Sequence, residues 1–239
     1  MRLSETSSVP LHAQLRSLLE SDIKEEKFTT KIPSERDLME KYQVSRATVR
    51  EAISLLVIDG LLEKRQGKGT FIKQMPPVQE WISSLSSLSK TIENMGMVPR
   101  ARLLDQGEVS NNPDIQNILG TRSSYFIERL RFASLSPIAI ERHYYSDKIG
   151  RLLSTYDLDT IVIYDVLEND LGFTLWETDE TVTSRLATKK EAILLDIPAN
   201  TCLLEMKRIL FDDKGRIIEY LESVYRSDLY VFKLKRRRK

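Results

Sequence analysis

The chain has 239 residues, 41% of them apolar and 30% charged, a balance that excludes intrinsic disorder and leaves room for two ordinary domains. One cysteine, Cys202, and two distant histidines, His12 and His143, exclude a disulfide framework and a Cys/His zinc cluster, and no apolar run approaches the ~18 residues of a membrane span. The net charge of +1 divides into +2 over residues 1–75, −7 over 76–232 and +6 over 233–239, so attraction to nucleic acid falls to the first third or to the basic tail.

The opening MRLSETSSVP lacks the apolar core of a signal peptide, which points to a cytoplasmic location. Pro10 suits a first helical turn, and Leu11, Leu15, Leu18, Leu19 and Ile23 follow at helical spacing. Pro33 and Ser34 open a second, short helix ending near Tyr42, with Ser34 as cap and Asp37 placed to complete a capping box. Ser45 caps a third helix whose apolar face is Val49, Ala52, Ile53, Leu56 and Val57, and Gly60 stops it. Leu62–Gln66 and Thr70–Ile72 then flank Gly67-Lys68-Gly69 as a hairpin with a glycine-rich tip.

Met75-Pro76-Pro77-Val78 breaks this pattern and divides the chain into a first domain, 1–75, a linker, 76–79, and a second domain, 80–239. Beyond it, β-rich runs occur at Tyr125–Phe132, Ile138–Tyr145, Leu203–Phe211 and Ile217–Tyr225, the last two joined by the turn residues Asp212-Asp213-Lys214-Gly215. Helical stretches at Asp114–Leu119, Tyr164–Leu171 and Lys189–Leu195 interrupt them, which predicts an α+β domain with a mainly antiparallel sheet.

The tight turn Tyr42-Gln43-Val44 between the second and third helices predicts a helix-turn-helix. With Val49, Ala52 and Ile53 inward, Arg46, Ala47, Arg50 and Ser54 face out, and Arg46 and Arg50, four residues apart, address one surface. Planar guanidinium forks suit guanine edges and phosphates, and the hydroxyls of Ser45 and Thr48 at the helix N-terminus suit phosphates. The glycine tip would form a wing that carries the charge of Lys68. The plainer alternative is a helical bundle with a solvated arginine pair.

This stretch resembles the winged helix-turn-helix of the GntR family of bacterial transcription regulators. The resemblance runs through Pro10-Leu11 with Gln14-Leu15, Pro33-Ser34-Glu35-Arg36 with Leu38, Val44-Ser45-Arg46-Ala47-Thr48-Val49-Arg50, Asp59-Gly60-Leu61 and Gly67-Lys68-Gly69-Thr70-Phe71. It implies that Arg36, Ser45, Arg46, Thr48 and Arg50 contact double-stranded operator DNA, with Gln66, Gly67 and Lys68 on the wing. The segment Lys27–Ile32 departs from the family, which usually has a longer turn there, with a glycine.

The second domain resembles the UTRA module of the HutC-type branch, which has a chorismate-lyase-like α+β fold. The matching pieces are Gly96 with Pro99, Arg129-Leu130-Arg131, Pro137-Ile138-Ala139-Ile140-Glu141, Ile163-Tyr164, Glu219-Tyr220 and Tyr225-Arg226-Ser227-Asp228. The resemblance implies a small, often anionic effector held by Ser87, Arg129, Arg131, Glu141, Tyr164, Glu219 and Tyr225. On their own chemistry, Arg129 and Arg131 lie two apart on a strand and share a face that suits a phosphate or carboxylate. The alternative is that they close salt bridges within an acidic domain. Relatives that bind sugar phosphates typically carry a serine two residues before Tyr164; Val162 stands there and removes one phosphate-directed hydroxyl.

No hydrolase elbow, zincin motif or P-loop is present, so no residue is assigned to catalysis and no metal or cofactor is expected. The expectation is a bacterial sequence-specific transcription regulator, acting as a repressor and a homodimer on paired half-sites, whose operator affinity responds to a metabolite such as a sugar phosphate or another anion.

Overall fold

Helix α1 (Leu11–Lys24) starts directly after Pro10, whose carbonyl accepts the amides of Ala13 and Gln14. The computed structural model describes residues 3–4, 8–24, 27–28, 30–73, 77–81, 85–109 and 112–235. It divides into two units, Met1–Met75 and Pro76–Lys239, each with its own core. Met75 at the end of the expected first domain, Pro76 of the expected linker, and residues 236–239 of the basic tail lie outside the described residues.

In the first unit Ser34 caps α2 (Glu35–Tyr42): its hydroxyl accepts the Asp37 amide at 3.2 Å, and the Asp37 carboxylate accepts the Ser34 amide at 3.1 Å. Gln43, left-handed at φ 54°, ends α2 and turns the chain towards α3 (Arg46–Ile58), which Ser45 caps through the Thr48 amide. Of the predicted apolar faces, Leu15, Leu19, Val49, Ala52, Ile53 and Leu56 are buried in one core with Leu38 and Leu62, while Ile23 and Val57 are half-buried against it. The hairpin β1 (Leu62–Arg65) and β2 (Gly69–Ile72) follows, with Leu62 opposite Ile72 and Arg65 opposite Gly69. Arg16 donates through Nε and Nη2 to Asp59, at 3.0 and 2.7 Å, and so ties α1 to the end of α3.

The second unit starts inside the expected linker. Val78 and Gln79, expected in a linker, belong to strand β3 (Val78–Trp81). Helix α4 (Leu88–Asn94) precedes β4 (Pro99–Val109), α5 (Pro113–Leu119), β5 (Ser124–Ala133), β6 (Ser136–Ser146) and α6 (Asp147–Leu153). Helix α7 (Ile163–Asp165) continues as a π-helical turn (Val166–Asp170) where one regular helix was expected. Then come β7 (Leu175–Leu186), α8 (Lys189–Leu195), β8 (Cys202–Asp212), β9 (Ile217–Arg226) and β10 (Tyr230–Lys233). Six strands form one antiparallel sheet in the order β4-β5-β6-β9-β8-β7, and β10 pairs in parallel with β3 outside it.

One face of the sheet packs Ile127, Tyr145 and Leu210 against α6, α7 and the π turn. Gly150 of α6 lies so close to β5 that an added methyl would overlap the Tyr125 side chain. The other face is covered by α8, through Leu195, and by α5, through Ile115, with a groove of closed ion pairs such as Arg142–Glu128 and Arg185–Glu205.

Candidate functional site

The first turn of α3 carries Ser45, Arg46, Thr48 and Arg50 to the surface of the N-terminal unit. Arg46 and Arg50, with side chains 71% and 61% exposed, both turn towards Glu35 at the start of α2, at 3.3 and 3.8 Å. Exposed pairs of this kind contribute ~0–1 kcal/mol each, so both guanidiniums are released to a competing acceptor at little cost. Sequence reasoning gives Glu35 no role of its own; it stands between Ser34, read as a cap, and Arg36, an implied DNA contact. The Ser45 hydroxyl is occupied as a cap and lies 2.9 Å from the Thr48 hydroxyl. Arg36 is exposed and bonded to Glu40, one turn on along α2.

Gln66, Gly67 and Lys68 form the exposed hairpin tip, closed by the Lys68 amide on the Arg65 carbonyl at 3.0 Å. Gly67 sits at φ 70°, a conformation that favours glycine. Arg65 lies over the Phe71 ring, and Lys64 reaches Ser54 of α3 at 3.4 Å, which links the hairpin to the helix.

In the second unit the sheet register brings the other predicted residues together. Arg129 on β5 lies opposite Glu141 on β6, and Arg131 two residues on shares its face. Arg131 donates through Nη1 to Glu141 at 2.6 Å and through Nη2 to the Ser89 hydroxyl at 2.7 Å. Arg129 donates to the carbonyls of Leu158 and Ile161 and lies 3.9 Å from Glu141. These side chains line a narrow cavity, with about 20 Å³ of free space, together with Ser87 at the N-cap of α4, Ser89 of α4, His143 of β6, Val162, Tyr164 and Arg208 of β8. The Nε atoms of Arg129 and Arg131 are buried and carry no hydrogen bond.

Two of the seven predicted effector contacts do not line this cavity. Glu219 is fully buried beneath it, beside His143 Nδ1 at 2.8 Å and accepting the hydroxyls of Tyr145 and Tyr164. Tyr225 is buried, stacked on Tyr230 at 4.2 Å and edge-on to Phe232, both of β10. Ser87, Arg129, Arg131, Glu141 and Tyr164 do line it. The sequence reading missed Ser89, His143 and Arg208. His143 had a signal, since it is two residues from Glu141 and so on the same strand face; Arg208 is brought in only by the pairing of β8 with β9, where it stands opposite Leu221.

The electrostatics follow from this packing. Burial pulls the Arg129 guanidinium down to about 10, with Arg131 adding to the effect. Burial alone would raise the Glu141 carboxyl, but Arg131 and His143 outweigh it and hold it below its ordinary value. Burial alone would lower the His143 imidazole, but Glu219 and Glu141 outweigh that and raise it. The cavity therefore offers buried donors whose counter-charge is fixed on one side, an arrangement matched to a ligand rich in acceptor oxygens. Among the described residues no group of three His, Cys, Asp or Glu could hold a metal ion, and no helix is long and apolar enough to cross a membrane.

Comparison with known proteins places both units. Residues 11–72 match the model of the bacterial regulatory proteins of the gntR family, and residues 94–231 match the UTRA domain. The chain is 31% identical over 238 residues to the HTH-type transcriptional repressor NagR of Bacillus subtilis (strain 168), covering 97% of each chain. It is 27% identical over 228 residues to the probable fructoselysine utilization operon transcriptional repressor of Escherichia coli (strain K12), covering 91% of each. The crystal structure of PhnF from Mycobacterium smegmatis superimposes with a TM-score of 0.65 at 23% identity, over 94% of this chain and 100% of that one, which supports the same fold.

Proposed function

Because the chain belongs to the gntR family of bacterial regulatory proteins and its C-terminal unit is a UTRA domain, it is a DNA-binding transcription regulator, and we propose that it is a repressor released from its operator by an anionic metabolite. Arg46 and Arg50 read base edges or phosphates from the first turn of α3, with Ser45, Thr48 and Arg36 beside them and the Gln66–Lys68 tip as the wing. Two such helices in a homodimer meet two half-sites, which gives the operator its two-fold symmetry. The setting is the cytoplasm, where the DNA is.

The observation that carries the effector reading is the pair of buried guanidiniums with free Nε donors in a cavity that Ser87 and Ser89 also line. Glu141 and His143 are placed to meet hydroxyls of the same ligand. Val162 offers no hydroxyl, so a phosphate here rests on arginine and the α4 serines. A sugar phosphate or a sugar acid fits this set.

The experiment selects duplexes from a random pool with the full chain, then measures operator affinity at fixed salt with and without a panel of phosphorylated sugars and sugar acids. A symmetric selected site, a dimer by sedimentation at micromolar concentration and release by a panel member are the expected results. A metabolite that tightens operator binding overturns the release reading, and a monomer on the selected duplex overturns the paired half-sites.

A further inference from the structure

We propose that Arg208 couples the occupancy of the cavity to strand β3, the first strand after the DNA-binding unit, through Glu80. The proposal rests on reading the cavity as the effector site.

Arg208 stands at the junction of three elements. Its Nη1 donates to the Tyr164 hydroxyl at 3.3 Å on the cavity side. Its Nη2 donates to Glu80 Oε1 at 3.1 Å on β3, and its Nε lies 2.5 Å from Glu180 on β7. The guanidinium lines the cavity and is buried, so a ligand oxygen that engages Arg208 or the Tyr164 hydroxyl enters directly into the set of groups that share it. Glu80 does not line the cavity. Its carboxylate is buried and has two partners, Arg208 and the Tyr230 hydroxyl on β10.

Glu80 also decides how firmly β3 is held. Among the described residues the strand spans Val78–Trp81 and pairs with β10, not with the six-stranded sheet. Short elements with few backbone partners open at low free energy, so a buried side-chain contact is a large share of what fixes them. Burial pushes the Glu80 carboxyl up from its ordinary value, and Arg208 is the strongest influence opposing that rise. A ligand that draws Arg208 towards the cavity leaves a buried carboxylate under-compensated, and β3 with it. The residues immediately before β3 connect it to the first unit, so a change in β3 acts at the attachment of the DNA-binding domain.

Glu80→Gln separates this coupling from ligand binding, since Glu80 is outside the cavity. Operator affinity of the full chain, on duplexes selected from a random pool, is compared among wild type, Glu80→Gln, Arg208→Gln and the double variant, without ligand. Arg185→Gln, which breaks pairs on the opposite face of the sheet, controls for a general loss of stability. The expected result is a shift of about fivefold or more in one direction for both single variants, with the double variant going no further and the control unmoved. Shifts under about twofold, opposite directions, additive effects or an equal shift in the control overturn the proposal.

A second arm adds glucose 6-phosphate, gluconate or inorganic phosphate. Where one of them releases operator from wild type, Glu80→Gln still binds it by calorimetry but no longer responds; an undiminished response overturns the relay. No melting shift of wild type with any of the three counts against the cavity reading in this form, while the ligand-free operator measurements decide the relay separately.

Discussion

Replacing Arg131 by methionine tests the electrostatic design of the cavity most directly. The substitution preserves much of the side-chain volume and removes the charge that lies 2.6 Å from Glu141. Breaking a buried pair by removing one partner costs about 3–5 kcal/mol, because the other charge stays buried without compensation. The lower end applies here, since His143 at 3.4 Å and Arg129 at 3.9 Å still flank Glu141. A loss of about 3 kcal/mol lowers the melting temperature of a unit this size by roughly 6–12 °C. Differential scanning calorimetry of the full chain reads this as a fall in the transition of residues 76–239, with that of the N-terminal unit unmoved. A cycle with Glu141→Gln adds a second readout: the double variant costs about 1–3 kcal/mol less than the sum of the singles. Strict additivity, or a loss under about 1 kcal/mol, refutes the account of Glu141 as held charged mainly by Arg131.

Arg50→Ala weakens operator binding by about 1–3 kcal/mol if the side chain reads a base, with little change in melting; unchanged affinity in a titration at fixed salt removes it from the interface. Gly150→Ala destabilises the C-terminal unit by about 1–3 kcal/mol through overlap with Tyr125, seen in denaturant unfolding, and a neutral outcome means that β5 and α6 separate freely. His143 gives a pH dependence: its imidazole is raised above the ordinary 6.5, so the stability it adds is complete below pH 6.5 and is lost as pH rises through the raised value. The melting difference between wild type and His143→Gln is therefore largest under acidic conditions and narrows towards alkaline pH; a difference that widens instead contradicts the charged His143 bridge between Glu141 and Glu219.

The N-terminal unit was readable because its signals are local. A serine cap, a carboxylate three residues later and an apolar stripe at helical spacing are decided within a few residues, and Ser34, Asp37 and Val49 to Leu56 occupy those roles. In the second unit the strands β5, β6, β8 and β9, and the hairpin that joins the last two, were legible for the same reason. The sheet edges were not. β7 carries exposed polar side chains over most of its length, and β4 does not alternate cleanly, so neither has the pattern that marks a strand. The parallel pairing of β3 with β10 joins residues about 150 positions apart and leaves no local trace. The cavity divides along the same line. Arg129 and Arg131 share a face by strand periodicity and Glu141, implied by the resemblance, stands opposite Arg129 in the ladder, whereas Glu219 and Tyr225 fell outside the cavity because the depth of a side chain depends on what covers its strand. Arg208 needed the register of β8 to be found at all.

The β3–β10 pair also has a mechanical sense. The two strands run in parallel, with Val78 opposite Tyr230 and Trp81 opposite Lys233. The chain from the DNA-binding unit reaches β3 at its Val78 end, and β10 is anchored to β9 at its Tyr230 end, so both loads arrive at the same end of the ladder. A parallel ladder joined to the rest of the chain at that end presents its backbone bonds in succession, starting beside Val78, as the teeth of a zip do.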